Sequence, residues 1–407
     1  MSSQVDTAPR PQPTGERRWS HLLRVPDVVV ALVAYALSRL WAGAAIVRAS
    51  DDQPRTQWTT GPADYFDLAQ LWDGQWYKTI AEQGYPLPLP INELGVVQQN
   101  AWAFFPGFPY TARAVSAVTG LEFSPAAVLL NVVLGGCAVY VMLRLLQRVA
   151  GRGPGLWATV LFCAVPTSVS LQIAYSESLG LLLLLLALWW LVERRYALAA
   201  VAVVLLALSR PVAAPVALVV LAHLVSRWRA RATDPFPTAQ RLQVVGLGLL
   251  TAASSLLWPA IVRWCTGVPD AYQRTQGTWR SGGEVKPLEQ SLGVVRILWQ
   301  DRGPWYLGIG AAVLLAVVLS PLGRRLGTEL RVWALAYPAY LVVVTEPWTS
   351  TFRYLLLEFP LLLVVIAPRN RVLQAAVLPA LVVLGLRWQV VWVDELLVFH
   401  PPVDWPP

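Results

Sequence analysis

The chain has 407 residues, 56% of them hydrophobic and only 14% charged, with a mean hydropathy of +0.50 and a formal net charge of +8. A water-soluble domain carries roughly a quarter of its residues as charges, so this composition excludes an ordinary soluble fold. The basic residues stand in short clusters between apolar runs, which excludes a nucleic-acid-binding stripe and points to residues that orient membrane helices.

Residues 1–25 are polar and Pro-rich and carry Arg17, Arg18, His21 and Arg24. With no convincing small-residue cleavage site after the first apolar run, they read as a retained cytoplasmic tail. Apolar runs then predict spans at 26–48, 124–147, 156–174, 177–192, 196–209, 212–226, 241–263, 305–320, 332–345, 352–367 and 371–393. That is about eleven helices, some of them well short of the roughly 20 residues that cross a hydrocarbon core. The predicted fold class is therefore an all-α integral membrane protein, with one transmembrane domain over 26–393 and a short external tail over 394–407. The clusters Arg17–Arg24, Arg144–Arg152, Arg194–Arg195, Arg227–Arg241, Arg324–Arg331 and Arg369–Arg371 all fall on one side in this threading, which the positive-inside rule makes cytoplasmic.

Two long connections, 49–123 and 264–304, then lie on the opposite side. The first is rich in aromatics, and Tyr65, Leu68, Trp72, Trp76 and Ile80 recur at helical spacing, predicting an amphipathic helix over 65–80 that lies on the interface. Residues 102–119 are apolar, but a full span there would reverse every later cluster, so they are predicted to be interfacial or re-entrant. The second connection, with Gly277, Gly282 and Gly283, predicts a flap or a solvated loop.

The same face collects Asp51, Asp52, Asp64, Asp67, Asp73, Glu82, Glu177, Arg210, Glu346 and Arg353, and charges near a membrane are costly unless paired or wet. Arg39 and Arg387, deep in the first and last spans, stand apart from them. The densest constellation is Leu71-Trp-Asp-Gly-Gln-Trp-Tyr-Lys-Thr-Ile-Ala-Glu-Gln-Gly-Tyr85. On a helix Asp73 shares a face with Trp76 and Tyr77. A carboxylate beside aromatic rings suits a sugar, whose C–H face stacks on the rings while the carboxylate takes a hydroxyl proton; the alternative is an interfacial aromatic belt. Cys137, Cys163 and Cys265 have neither disulfide nor zinc spacing, and His21, His223 and His400 are dispersed. No cofactor is therefore required, although paired external acids leave a divalent metal open.

Trp72-Asp73, Tyr77, Ile80-Ala81 and Gly84-Tyr85 together resemble the signature of the PIG-V family of mannosyltransferases. Ala103-Phe-Phe-Pro106, Tyr175-Ser-Glu177-Ser and Ser209-Arg210-Pro211 are similar to that family as well, over about residues 35–225, with a fainter echo at Arg353-Tyr354. The resemblance implies a GT-C bundle with an acidic residue in the first external loop. It also implies transfer of mannose from a polyprenyl-phosphate-mannose donor to an extracytoplasmic lipid, glycan or protein acceptor. The last third of the chain matches the family poorly.

In an inverting displacement one base takes the acceptor proton opposite the leaving phosphate. Asp73 is the candidate base, with Asp51 and Asp52 as rivals that spacing alone leaves open. Arg210, and after it Arg353, are candidates to hold phosphate, because a guanidinium fork matches its oxygens. Glu177 is a candidate to bind acceptor hydroxyls or to position Arg210, and Trp72, Trp76 and Tyr77 to contact sugar. The alternatives are a polytopic transporter or lipid flippase, which usually shows repeated halves, or the same chemistry on another sugar such as arabinose. Membrane lipids are expected partners; nucleic acid is not.

Overall fold

The computed structural model describes residues 25–400 apart from 57, 58, 60 and 367–370. The tail 1–24 with its arginines, Arg369, the side chain of Arg371 and residues 401–407 lie outside the described residues. In an apolar layer the backbone has only itself to bond with, and the regular structure of the described residues is accordingly all helical, with one isolated bridge between Ile91 and Val97 and no strand.

The helices run α1 Asp27–Ser50, α2 Tyr65–Ala69, α3 Asp73–Gln83, α4 Gly107–Thr119, α5 Phe123–Ala150, α6 Arg152–Ala164, α7 Glu177–Val192, α8 Tyr196–Ala207 and α9 Ala213–Arg229. They continue as α10 Thr238–Ser254, α11 Leu257–Thr266, α12 Ala271–Gly277, α13 Glu289–Trp299, α14 Gly303–Leu319, α15 Gly327–Val344, α16 Ser350–Tyr354, α17 Leu361–Val365 and α18 Arg371–Trp392. Among the described residues four helical stretches are long and apolar enough to cross a membrane: α1, α5, Glu289–Leu319 and Ala376–Leu397. The pair α10–α11, bent by 45°, makes a fifth. The chain is a membrane protein.

Three predicted spans are not single helices: 241–263 is the bent pair α10–α11, and two others break at prolines. The run 156–174 leaves the α-helix after Ala164, because Pro166 drives Val165 into extended backbone (ψ 147°), and a 3₁₀ turn follows. The run 352–367 breaks into α16, a 3₁₀ turn over Leu355–Glu358, and α17. Pro360 at the head of α17 has no N–H for a continuous ladder.

α5 is the central post, packed against α6, α7, α1 and α4, while α9 packs on α15 and α10. Its Gly135 lets α1 close in: a methyl there would collide with the Tyr35 hydroxyl, which donates to Val132 O at 2.9 Å. Arg39 is buried in the same region and donates to Ser168 Oγ at 3.0 Å, whereas Arg387 is exposed.

The first long connection folds onto this frame. The predicted helix over 65–80 is two helices, α2 and α3, separated at Gln70–Trp72, where Trp72 takes φ 59° and ψ −115°. A bulky residue at positive φ costs of order 1–3 kcal/mol and persists only when its surroundings dictate it. The turn makes Asp73 the first residue of α3. Residues 102–119 form a 3₁₀ turn and α4 rather than a span-length helix. The second connection is largely helical, as α12 and α13, and it meets the first: Gln276 Nε2 donates to Ala103 O at 2.8 Å and Gln99 Nε2 to Thr278 O at 3.3 Å.

Candidate active site

Where the two long connections meet above α9 and α15, they enclose a cavity of about 930 Å³. Its floor is built by the short segment before α7. Ala174 N donates to Ala69 O at 2.7 Å, Asn131 Nδ2 on α5 donates to Tyr175 O at 2.8 Å, and Tyr77 Oη donates to Ser176 Oγ at 2.9 Å. These three bonds clamp residues 174–176 and so fix Glu177 at the head of α7. Burial, then the Asp73 and Glu177 carboxylates, push the Tyr77 phenol up, so it remains a donor.

Four charged side chains from distant parts of the sequence interlock here. Arg353 Nη2 pairs with Asp73 Oδ2 at 2.7 Å, and its Nε lies 3.3 Å from Glu177 Oε1 without the alignment of a hydrogen bond. Arg210 Nη1 reaches the same Oε1 at 2.8 Å and Ser176 Oγ at 3.2 Å. Glu177, Arg210 and Arg353 are buried, while the Asp73 side chain is 28% exposed to the cavity. Tyr175 and Tyr354 lie under the Arg353 guanidinium at 4.6 and 5.4 Å. Gly180 is needed beside them, because a methyl there would strike Arg210 Cδ.

The structure thus brings together Asp73, Glu177, Arg210 and Arg353, with Trp72, Trp76 and Tyr77 on the cavity wall. Glu177 does not line the cavity; it stands behind it as the shared counter-ion of two arginines, the arrangement that positions Arg210. Asp51 and Asp52 occupy an exposed turn at the end of α1 and do not line the cavity. Trp76 stacks on Phe104 (5.7 Å between centroids, 16° between planes), and Trp279 stands edge-on to both at 5.6 and 5.7 Å. These rings line the same cavity as the partly exposed Asp73 carboxylate.

Sequence reasoning missed Arg280, Tyr272, Tyr340 and Trp279, all of which line the cavity. Arg280 donates to Val344 O at 3.2 Å, its Nε is buried without a partner, and it has no carboxylate within salt-bridge distance among the described residues. The nearby Glu346 spends its oxygens on Ser281 N at 3.0 Å, the Ser281 hydroxyl and Trp348 Nε1 at 3.1 Å. Arg280 is therefore the guanidinium on the wall whose charge the protein leaves open. Among the described residues no three His, Cys, Asp or Glu side chains gather as a metal would need.

No protein-family model matches the chain, and no curated protein matches it in sequence. Its fold is similar to that of ArnT from Cupriavidus metallidurans, solved bound to undecaprenyl phosphate. The TM-score is 0.50 at 13% identity, over 93% of this chain and 77% of ArnT. The archaeal oligosaccharyltransferase AglB from Archaeoglobus fulgidus, solved with an inhibitory peptide and a dolichol-phosphate, matches with a TM-score of 0.46 at 13% identity. That match covers 97% of this chain, which spans 57% of AglB's length. The architecture is the all-α, GT-C-like membrane bundle that the sequence predicts.

Proposed function

We propose that the chain is a glycosyltransferase that moves a sugar from a polyprenyl-phosphate carrier to a hydroxyl on an extracytoplasmic acceptor. The observation that carries this reading is the partly exposed Asp73, oriented by Arg353 in a buried four-charge network, in one large cavity also lined by Trp76, Phe104 and Trp279. ArnT shares this fold and was solved with undecaprenyl phosphate bound, which supports a lipid phosphate as the carrier. The PIG-V-like residues around Asp73 favour mannose as the sugar.

In this reading the chain is multi-pass, with its arginine clusters cytoplasmic and the cavity facing out. The acceptor oxygen attacks the anomeric carbon, the bond from that carbon to the phosphate oxygen breaks, and the electron pair leaves with the polyprenyl phosphate. Asp73 takes the acceptor proton through the carboxylate oxygen that Arg353 does not hold. Arg280 is the assigned phosphate ligand, because Arg210 and Arg353 already neutralise Glu177 and Asp73. Trp76, Phe104 and Trp279 supply the stacking face for the sugar, and Tyr77 holds Ser176 behind it. Trp72 sets the turn that delivers Asp73.

The test is transfer by purified protein from a panel of labelled polyprenyl-phosphate sugars to a lipid extract of its host. Label moving from polyprenyl-phosphomannose supports the full reading. Use of another sugar alone, arabinose included, removes the mannose assignment, and silence with every donor from folded protein removes glycosyl transfer.

A further inference from the structure

We propose that a second pocket, separate from the large cavity, binds the primary ammonium group of a membrane lipid through Glu358. This inference stands independently of the glycosyltransferase reading. The pocket encloses about 190 Å³ and shares no lining residue with the large cavity. Its wall comes from Phe162 at the end of α6, from Val165 and Thr167 beyond it, and from Leu356, Phe359 and Leu362 of the broken segment before and within α17.

Glu358 is 8% exposed, and neither of its carboxyl oxygens has a hydrogen-bond partner among the described residues. Native interiors rarely leave an acid so placed, because a buried carboxyl without donors keeps the full penalty of leaving water. The donors on α15, which packs against this turn, are directed elsewhere: the Trp333 indole to Leu357 O at 2.9 Å and the Tyr337 hydroxyl to Tyr354 O at 2.9 Å. The missing donor therefore comes from outside the described chain.

The chemistry of the pocket selects that donor. Of the lining side chains only Glu358 and Thr167 are polar, so the ligand must carry a compact polar tip with an apolar remainder. An ammonium brings three N–H donors to the two carboxylate oxygens and the Thr167 hydroxyl, and it neutralises the charge that burial disfavours. The volume admits a headgroup of a few heavy atoms. Leu355 at the pocket's rim and Phe352 and Val365 on the same segment turn apolar surface outward, at 43%, 61% and 45% exposure. Lipid chains attached to that headgroup cover such a surface.

The experiment uses the full chain, purified and stripped of lipid. It is titrated separately with phosphatidylethanolamine, phosphatidylcholine (whose headgroup carries the charge but no N–H) and free ethanolamine. Melting temperature and bound lipid by native mass spectrometry are read together. Wild type is expected to bind phosphatidylethanolamine about tenfold or more tighter than phosphatidylcholine, the scale of a charge-assisted hydrogen bond, and to melt higher with it. Glu358→Leu should lose this preference and melt higher than wild type in the stripped state, because the unpaired buried carboxyl is gone. Glu358→Gln, nearly the same shape, should lose the preference too, and it answers the question if the leucine variant fails to fold. Equal binding of the two lipids by wild type overturns the proposal, as does a preference that survives in both variants. Saturation by free ethanolamine at the concentration where the lipid saturates overturns the lipid assignment.

Discussion

Glu177→Gln is the perturbation whose size the structure fixes most directly. The Glu177 carboxylate is 2% exposed and faces Arg210 Nη1 at 2.8 Å and Arg353 Nε at 3.3 Å, with those side chains 9% and 4% exposed. At an effective dielectric of about 20 these contacts are worth roughly 6 and 5 kcal/mol gross, most of which offsets the desolvation of the three groups. Glutamine keeps the volume and removes the charge, leaving two guanidinium groups buried together with only Asp73 to balance them. Breaking a buried pair in this way costs about 3–5 kcal/mol. The assay is denaturant unfolding of purified protein in mild detergent, run as a cycle with Arg210→Met. The double variant should recover about 1–3 kcal/mol of the loss, because the arginine orphaned by the first change is also gone. A loss under about 1 kcal/mol for Glu177→Gln would refute the view that this carboxylate is the keystone of the network.

Arg280→Gln should lower kcat/KM for the donor about 10- to 100-fold, the contribution of a charge-assisted hydrogen bond, and leave the dependence on acceptor concentration unchanged. Initial-rate kinetics with each substrate varied in turn separate the two, and an equal effect on both would make Arg280 structural. Burial raises the Glu346 carboxyl pKa, but its bonds to Ser281 and Trp348 outweigh that and hold it below the usual carboxylate range. A depressed folded pKa contributes stability that is full above the unfolded pKa and is lost as pH falls through the folded one. Hydrogen-exchange protection in residues 271–285, measured against the intrinsic rate at each pH, should therefore fall as pH drops below the ordinary carboxylate range, and Glu346→Gln should remove that dependence; protection independent of pH in wild type would contradict the clamp. Transfer should persist in chelator, since the Asp73 and Glu177 carboxylates are already neutralised by arginines; activity restored only by added divalent ion would overturn this.

The sequence carries the fold further than it carries the site. Apolar runs and arginine clusters mark helices at nearly every predicted position, because in lipid the backbone has no alternative to the helix. The exceptions follow local chemistry that hydropathy averages away: Pro166 follows a helix end and Pro360 heads a new helix inside apolar runs, and the turn at Trp72 splits an amphipathic pattern whose spacing looks continuous. Asp73, Glu177, Arg210 and Arg353 are each legible as charges near predicted helix ends. Their pairing is not, since it joins segments up to 280 residues apart through bonds that no local pattern encodes. Arg280 was hidden because a segment with Gly277, Gly282 and Gly283 and few apolar residues reads as a flap or a solvated loop. In the structure Gln276 and Ser281 tie that segment down to Ala103 and Glu346. Glu358, inside what reads as an ordinary span, gives no signal of its pocket until the helix breaks around it.

The most direct test of the account is sugar transfer by Asp73→Asn beside wild type, with both proteins shown to bind polyprenyl phosphate equally. The asparagine preserves shape and removes the acceptor of the proton, so the account predicts a fall in kcat of at least about 10²–10⁴-fold with donor binding retained. Transfer at the wild-type rate by this variant would contradict the central claim that Asp73 is the base.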